Sequence, residues 1–236
     1  MPRLLLFDID GTLVDSNRTG RIAVGRALDH VFGTAGAVTT YDFAGKTDRR
    51  IVRDLMAAEG YTPAEIERRF PAFVERMAVE GGALFTPDRV RPCPGVLPLL
   101  MALEQRDDAV LGLLTGNVIS TAPLKLQAAG IDPTIFRAGA YGSDRLDRND
   151  LMPVALERVY DAVGQRFPPE DVVILGDTPA DIHCARAANA RVVAVATGPV
   201  PYDVLRDHKP DHLFADFLEA SAVLAAIFDS EDRSVL

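Results

Sequence analysis

Five short apolar runs, separated by stretches of helical pattern, limit what this 236-residue chain can fold into. They read RLLLFDI (3–9), AVLGLLTG (109–116), DVVILGD (171–177), RVVAVATG (191–198) and a weaker DHLFADF (211–217). A strand with one face in water alternates apolar and polar residues, whereas a nearly continuous apolar run suits a strand covered on both faces. Such runs alternating with helices predict an α/β fold: a Rossmann-like, doubly wound parallel sheet.

The interval from residue 16 to 89 breaks that rhythm and predicts an all-helical insert, with residues 1–15 and 90–236 forming the α/β core. The insert reads as three helices: RTGRIAVGRALDHVF, DRRIVRDLMAAEG and TPAEIERRFPAFVERMAVEGG. The last carries a start signal in Thr62 as N-cap, Pro63 at the first helical position and Glu65 at the third. The proline-rich TPDRVRPCPG (86–95) lacks periodicity and reads as the return linker, and the terminal SEDRSVL is expected to fray. Residues 15–90 hold 11 basic and 11 acidic residues, so the net charge of −9 resides entirely in the rest of the chain. The insert is therefore the half more hospitable to an anionic ligand.

An acidic chain of pI near 4.9 lacks the basic stripe that tracking of nucleic acid requires. No membrane partner is expected, because the longest apolar stretches, such as VVAVA (192–196), are too short to span a bilayer. MPRLLLFDID offers no h-region, so a secretory signal is not expected either. The two cysteines, Cys93 and Cys184, form no closely spaced pair and read as reduced, buried thiols of a cytoplasmic protein, monomeric or homodimeric. The four histidines, His30, His183, His208 and His212, show no ligand spacing.

Ligands of open parallel sheets gather beyond the carboxyl ends of the strands. Here the first run ends in Asp8 and Asp10, the second in Thr115, Gly116 and Asn117, and a later one in GDTPADI with Asp177 and Asp181. Carboxylates brought together on one rim repel one another and lose solvation. A hard divalent cation offsets that cost, and magnesium takes such oxygen ligands together with a substrate phosphate and waters.

DIDGTLVDS, TGN and GDTPADI, in this order and with a helical insert after the first, resemble the haloacid dehalogenase superfamily, in its phosphatase branch with a helical cap. The resemblance implies a magnesium-dependent phosphatase of small phosphate esters. It makes Asp8 the nucleophile that becomes an aspartyl phosphate, and Asp10 the general acid and then base. It assigns magnesium to Asp8, the backbone carbonyl of Asp10 and Asp177. Phosphate oxygens fall to Thr115 and to the amides of Gly116 and Asn117 at the start of a helix. Gly11 and Thr12 shape the strand exit, and Asp181 orients a neighbouring group rather than touching substrate.

The superfamily also uses a basic residue, usually lysine, on the phosphate and the nucleophile. The lysines are Lys46, Lys125 and Lys209, none in the usual setting, and Arg148 in DRNDLMPVALER takes the place, with Lys125 as the alternative. FAGKTDRR lacks the leading glycine and preceding strand of a P-loop, so Gly45 and Lys46 read instead as the cap loop that meets the leaving group. Related functions stay open at this point: a sugar phosphomutase, a phosphonate hydrolase using Lys46 as a Schiff base, or a silent binding module. Phosphonate hydrolases lack an acid at the position of Asp10, and dehalogenation needs neither that acid nor a metal, so ester hydrolysis is the expected reaction.

Overall fold

The first apolar run becomes β1 (Arg3–Phe7), every residue of it buried, in a computed structural model that describes residues 2–228. The terminal SEDRSVL lies outside the described residues. After β1 come the two-residue β2 (Val14–Asp15) and helices α1 (Thr19–Phe32), α2 (Asp48–Ala58) and α3 (Pro63–Leu84). The chain returns through β3 (Arg91–Pro92), α4 (Val96–Glu104), β4 (Ala109–Leu114), α5 (Ala122–Ala128), β5 (Ala138–Ala140) and α6 (Leu151–Val163). It ends with β6 (Val172–Gly176), α7 (Pro179–Ala187), β7 (Arg191–Val195), α8 (Tyr202–Asp207), β8 (His212–Phe214) and α9 (Ala220–Phe228).

Six strands form one sheet in the order β5-β4-β1-β6-β7-β8, every pair parallel. Because side chains alternate across a strand, Leu4 and Leu6 face one apolar cluster with α6 and α7, while Leu5 and Phe7 face the other, which reaches α1 and α3. Fully burying each such side chain contributes roughly 1.5–3 kcal/mol, so both faces of β1 support the fold.

Two strands differ from the sequence expectation. β5 is the tripeptide AGA, too short and too poor in β-branched residues to signal a strand. Its register comes from its neighbour, with Gly112 opposite Ala138 and Leu114 opposite Ala140. Within the stretch read as a linker, β3 pairs antiparallel with β2, matching Val14 to Pro92 and Asp15 to Arg91. The outgoing and returning chains to the three helices are thereby joined side by side. Helix α3 starts as expected, with Thr62 accepting from the Glu65 amide at 3.3 Å and Glu65 accepting from the Thr62 amide at 2.9 Å.

Candidate active site

The carboxyl ends of β1, β4 and β6 carry Asp8, Thr115 and Asp177, and the parallel register sets these ends beside one another. Asp8, Asp177 and Asp181 each present a carboxylate oxygen within 4.8 Å of the other two, and all three are buried. Burial, partly opposed by Arg148 and reinforced by the charge of Asp181, pushes the Asp8 carboxyl up to about 6. Burial and the charges of Asp8 and Asp181 push Asp177 well above the usual carboxylate range.

Arg148 is the cation inside this group. Its Nη2 donates to Asp181 Oδ1 at 2.5 Å and to the Leu114 carbonyl at 3.1 Å, and lies 3.2 Å from Asp8 Oδ2. Burial alone would lower its affinity for a proton, but the charges of Asp181 and Asp8 outweigh that and keep it protonated. The other oxygen of Asp181 accepts from the Thr178 amide at 3.0 Å and its hydroxyl at 2.7 Å, so both Asp181 oxygens are occupied. Asp177 differs: Oδ1 accepts from Thr12 at 3.2 Å, while the buried Oδ2 has no hydrogen-bond partner. Gly11, at φ 79°, and Gly198 crowd that oxygen so closely that a Cβ on either would overlap it.

An unpartnered buried carboxylate oxygen beside a second raised carboxyl, walled by glycine backbone, fits a small divalent cation. Asp8 and Asp177 are the side chains suited to hold it. The Asp10 side chain lies outside the acidic cluster. Ser16 donates to its Oδ1 at 2.7 Å, and Asn117 Nδ2 and Lys125 Nζ donate to its Oδ2 at 2.8 and 2.5 Å. Burial would raise the Asp10 carboxyl, but the charge and hydrogen bond of Lys125, helped by Ser16 and Asn117, bring it below the usual range.

The β4 loop differs from expectation in one respect. Helix α5 starts at Ala122, so the Gly116 and Asn117 amides precede a turn rather than a helix. The Asn117 amide is directed at Thr115 Oγ1 at 3.3 Å. Gly116 is needed for a different approach: its carbonyl accepts from the Asp48 amide at 2.7 Å, and a Cβ on it would overlap the Lys46 carbonyl.

The helical insert closes over this rim. Gly45, at φ 68°, packs on Thr178 and Ala180, while Lys46 Nζ donates to the Asp42 carbonyl at 2.6 Å and lies 4.3 Å from the centre of the Tyr41 ring. Between insert and core lies a cavity of about 880 Å³, with Asp8, Asp10, Asp177, Lys125 and Arg148 on the core side and Lys46 on the insert side. Two residues without a role in the sequence reading matter here. Ser16 holds Asp10, and Asp48, buried at the start of α2, accepts from the Val118 amide at 2.8 Å. Asp48 follows the N-cap Thr47 and looks in sequence like an ordinary first-turn acid.

A parallel sheet that gathers acids on its carboxyl rim beneath a helical insert suits a hydrolase. The comparisons give that class a family: the sequence model of the haloacid dehalogenase-like hydrolases matches residues 2–189. The chain belongs to this family. It is similar to phosphoglycolate phosphatase 1 of Pseudomonas aeruginosa, 31% identical over 84% of this chain and 71% of that protein. A phosphoglycolate phosphatase of Xylella fastidiosa is 31% identical over 79% of this chain and 77% of its own length. A hydrolase from Pseudomonas syringae shares the fold at a TM-score of 0.70 and 21% identity, over 96% of this chain and 100% of that one.

Proposed function

We propose that this chain is a magnesium-dependent phosphatase that hydrolyses a small phosphorylated metabolite, of the phosphoglycolate kind, through an aspartyl phosphate on Asp8. The observation that carries the reading is the buried meeting of Asp8 with Asp177, whose Oδ2 has no partner, at the base of a substrate-sized cavity. The similarity to phosphoglycolate phosphatases supports the substrate class.

Asp8, Asp177 and the backbone carbonyl of Asp10 would hold the cation, which supplies charge neutralisation between nucleophile and phosphoryl group when bound. An Asp8 oxygen attacks phosphorus while Arg148, 3.2 Å from Asp8 Oδ2, holds the carboxylate in place and receives phosphoryl oxygens. Thr115 and the Gly116 amide bind the remaining phosphoryl oxygens at the end of β4, with Asn117 acting through its side chain on Asp10. Asp10 gives a proton to the departing oxygen and later takes one from the water that splits the aspartyl phosphate. Gly45 and Lys46 meet the leaving group from the insert. Lys46 Nζ is engaged by the Asp42 carbonyl and lies over the Tyr41 ring, which favours ester hydrolysis over Schiff-base chemistry. The free, buried Cys93 and Cys184 suit a reducing compartment such as the cytoplasm.

A panel of phosphoglycolate, glycerol phosphate and hexose phosphates tests the proposal, read as inorganic phosphate and as isomer. Release of phosphate that needs magnesium, stops with chelator and falls by at least roughly 10³-fold in Asp8→Asn supports it. Isomer in place of phosphate points to a mutase, and no turnover of any ester points to a binding module.

A further inference from the structure

The site contains two buried cations, and they serve different aspartates. Arg148 pairs with Asp8 and Asp181, whereas the ion pair of Lys125 is with Asp10. The Lys125 side chain is 4% exposed and arrives from α5. Its Nζ donates at 2.5 Å to both Asp10 Oδ2 and Asn117 Oδ1, and lies 5.3 Å from the centre of the Phe85 ring. Gly20 of α1 leaves the room it needs, since a Cβ there would stand 3.1 Å from Nζ. Asn117 in turn donates to the same Asp10 oxygen at 2.8 Å. Lys125 thus acts on Asp10 Oδ2 both directly and through Asn117, while Ser16 holds the opposite oxygen. The Asp10 side chain is 39% exposed, against 8% for Asp8, and its open side is the cavity.

We infer that Lys125 is a positioning residue for Asp10: it fixes the carboxyl at the cavity wall where the leaving oxygen departs, and does not serve as the phosphate-binding cation. This rests on the phosphatase reading above. In the step concerned, an Asp8 oxygen bonds to phosphorus and the bond from phosphorus to the ester oxygen breaks. Asp10, held as a carboxylate by Lys125, takes up a solvent proton as the anionic ester binds beside it and passes that proton to the ester oxygen, leaving an alcohol and the Asp10 carboxylate. Water then bonds to phosphorus and passes its proton to Asp10, and Asp8 departs as a carboxylate with release of orthophosphate. Only the first transfer depends on how much the leaving group needs a proton, so substrates can separate this role from others.

The experiment compares kcat/KM, which reports transfer to Asp8, for an alkyl ester from the metabolite panel and for dinitrophenyl phosphate, whose phenolate leaves without a proton. Lys125→Met is expected to lose on the order of 10²-fold on the alkyl ester and less than about tenfold on the aryl ester. Lys125→Arg, which restores charge and donors with a different reach, is expected to recover part of the alkyl loss. Equal losses on the two esters, or none, overturn the inference, because a phosphate ligand or a purely structural residue would not distinguish leaving groups. Where Lys125→Met does not fold, the same ratio is read on Lys125→Arg and on Ser16→Ala. Failure of the unsubstituted protein to hydrolyse any alkyl ester overturns the phosphatase reading itself, whereas turnover with equal losses overturns the role of Lys125 alone.

Discussion

Asp8 and Asp181 are buried against the same nitrogen of one guanidinium, and that arrangement makes Arg148 a residue with a pH-dependent worth. An acid whose proton affinity is raised by folding favours the folded state below its ordinary range and works against it as the pH rises. For Asp8 that loss runs up through about 6, with Arg148 in place to limit it. Replacing Arg148 by methionine removes the opposing charge, and breaking a buried pair in this way costs about 3–5 kcal/mol. Thermal unfolding in chelator is expected to show the Arg148→Met deficit at its largest near about pH 8, shrinking toward about pH 5 as Asp8 takes up its proton. A deficit that does not change with pH would contradict this reading. At the same scale, the spacing of Asp8, Asp10 and Asp177 at strand ends is visible in the sequence because strand ends are themselves visible. The partners of Asp10 are not, since Ser16, Asn117 and Lys125 come from separate parts of the chain and only the fold shows that they meet.

Among the elements, α2 and α3 both join insert to core, α3 through its Val74 carbonyl, which accepts from Ser120 at 2.8 Å. The N-cap and first residues of α2 are bonded across to the β4 loop and its neighbour: the Asp48 amide to the Gly116 carbonyl at 2.7 Å, the Arg49 amide to the Gly142 carbonyl at 3.1 Å, and the Thr47 hydroxyl to the Leu146 carbonyl at 2.8 Å. Asp48 adds a carboxylate that burial pushes up to about 6, with the nearby charge of Lys125 and the Val118 amide opposing it. Its ionisation therefore weakens the fold as the pH rises from about 4 through about 6, by on the order of 2–3 kcal/mol. Asparagine keeps an acceptor for Val118 and has no charge to bury. Asp48→Asn is expected to unfold at a higher temperature than the parent near about pH 8 and at the same temperature near about pH 4. Equal melting temperatures at both would show that the insert docks without cost from this carboxylate. Helix α3 could be read from its capping box, because that signal is local. The docking of α2 could not, because Asp48 looks the same in a solvated first turn and in a buried joint. Likewise, β5 and β3 exist through their partners β4 and β2 rather than through their own composition.

For the whole molecule, the parallel sheet was legible because near-continuous apolar runs can be satisfied only when both faces are covered, and both faces of β1 are. The placement of the cavity follows from the same topology, since parallel strands end on one rim and the insert leaves from that rim after β1. What the sequence left open was how the two basic candidates divide their work, a question of side-chain geometry that spacing does not encode. A crystal structure grown with magnesium and beryllium fluoride, a stable stand-in for a phosphoryl group, tests whether residues far apart in the chain meet as one phosphoryl-accepting centre. Beryllium is expected bonded to an Asp8 carboxylate oxygen, with a magnesium ion in contact with both Asp8 and Asp177. Beryllium fluoride on another residue, or magnesium bound out of reach of Asp177, would contradict it.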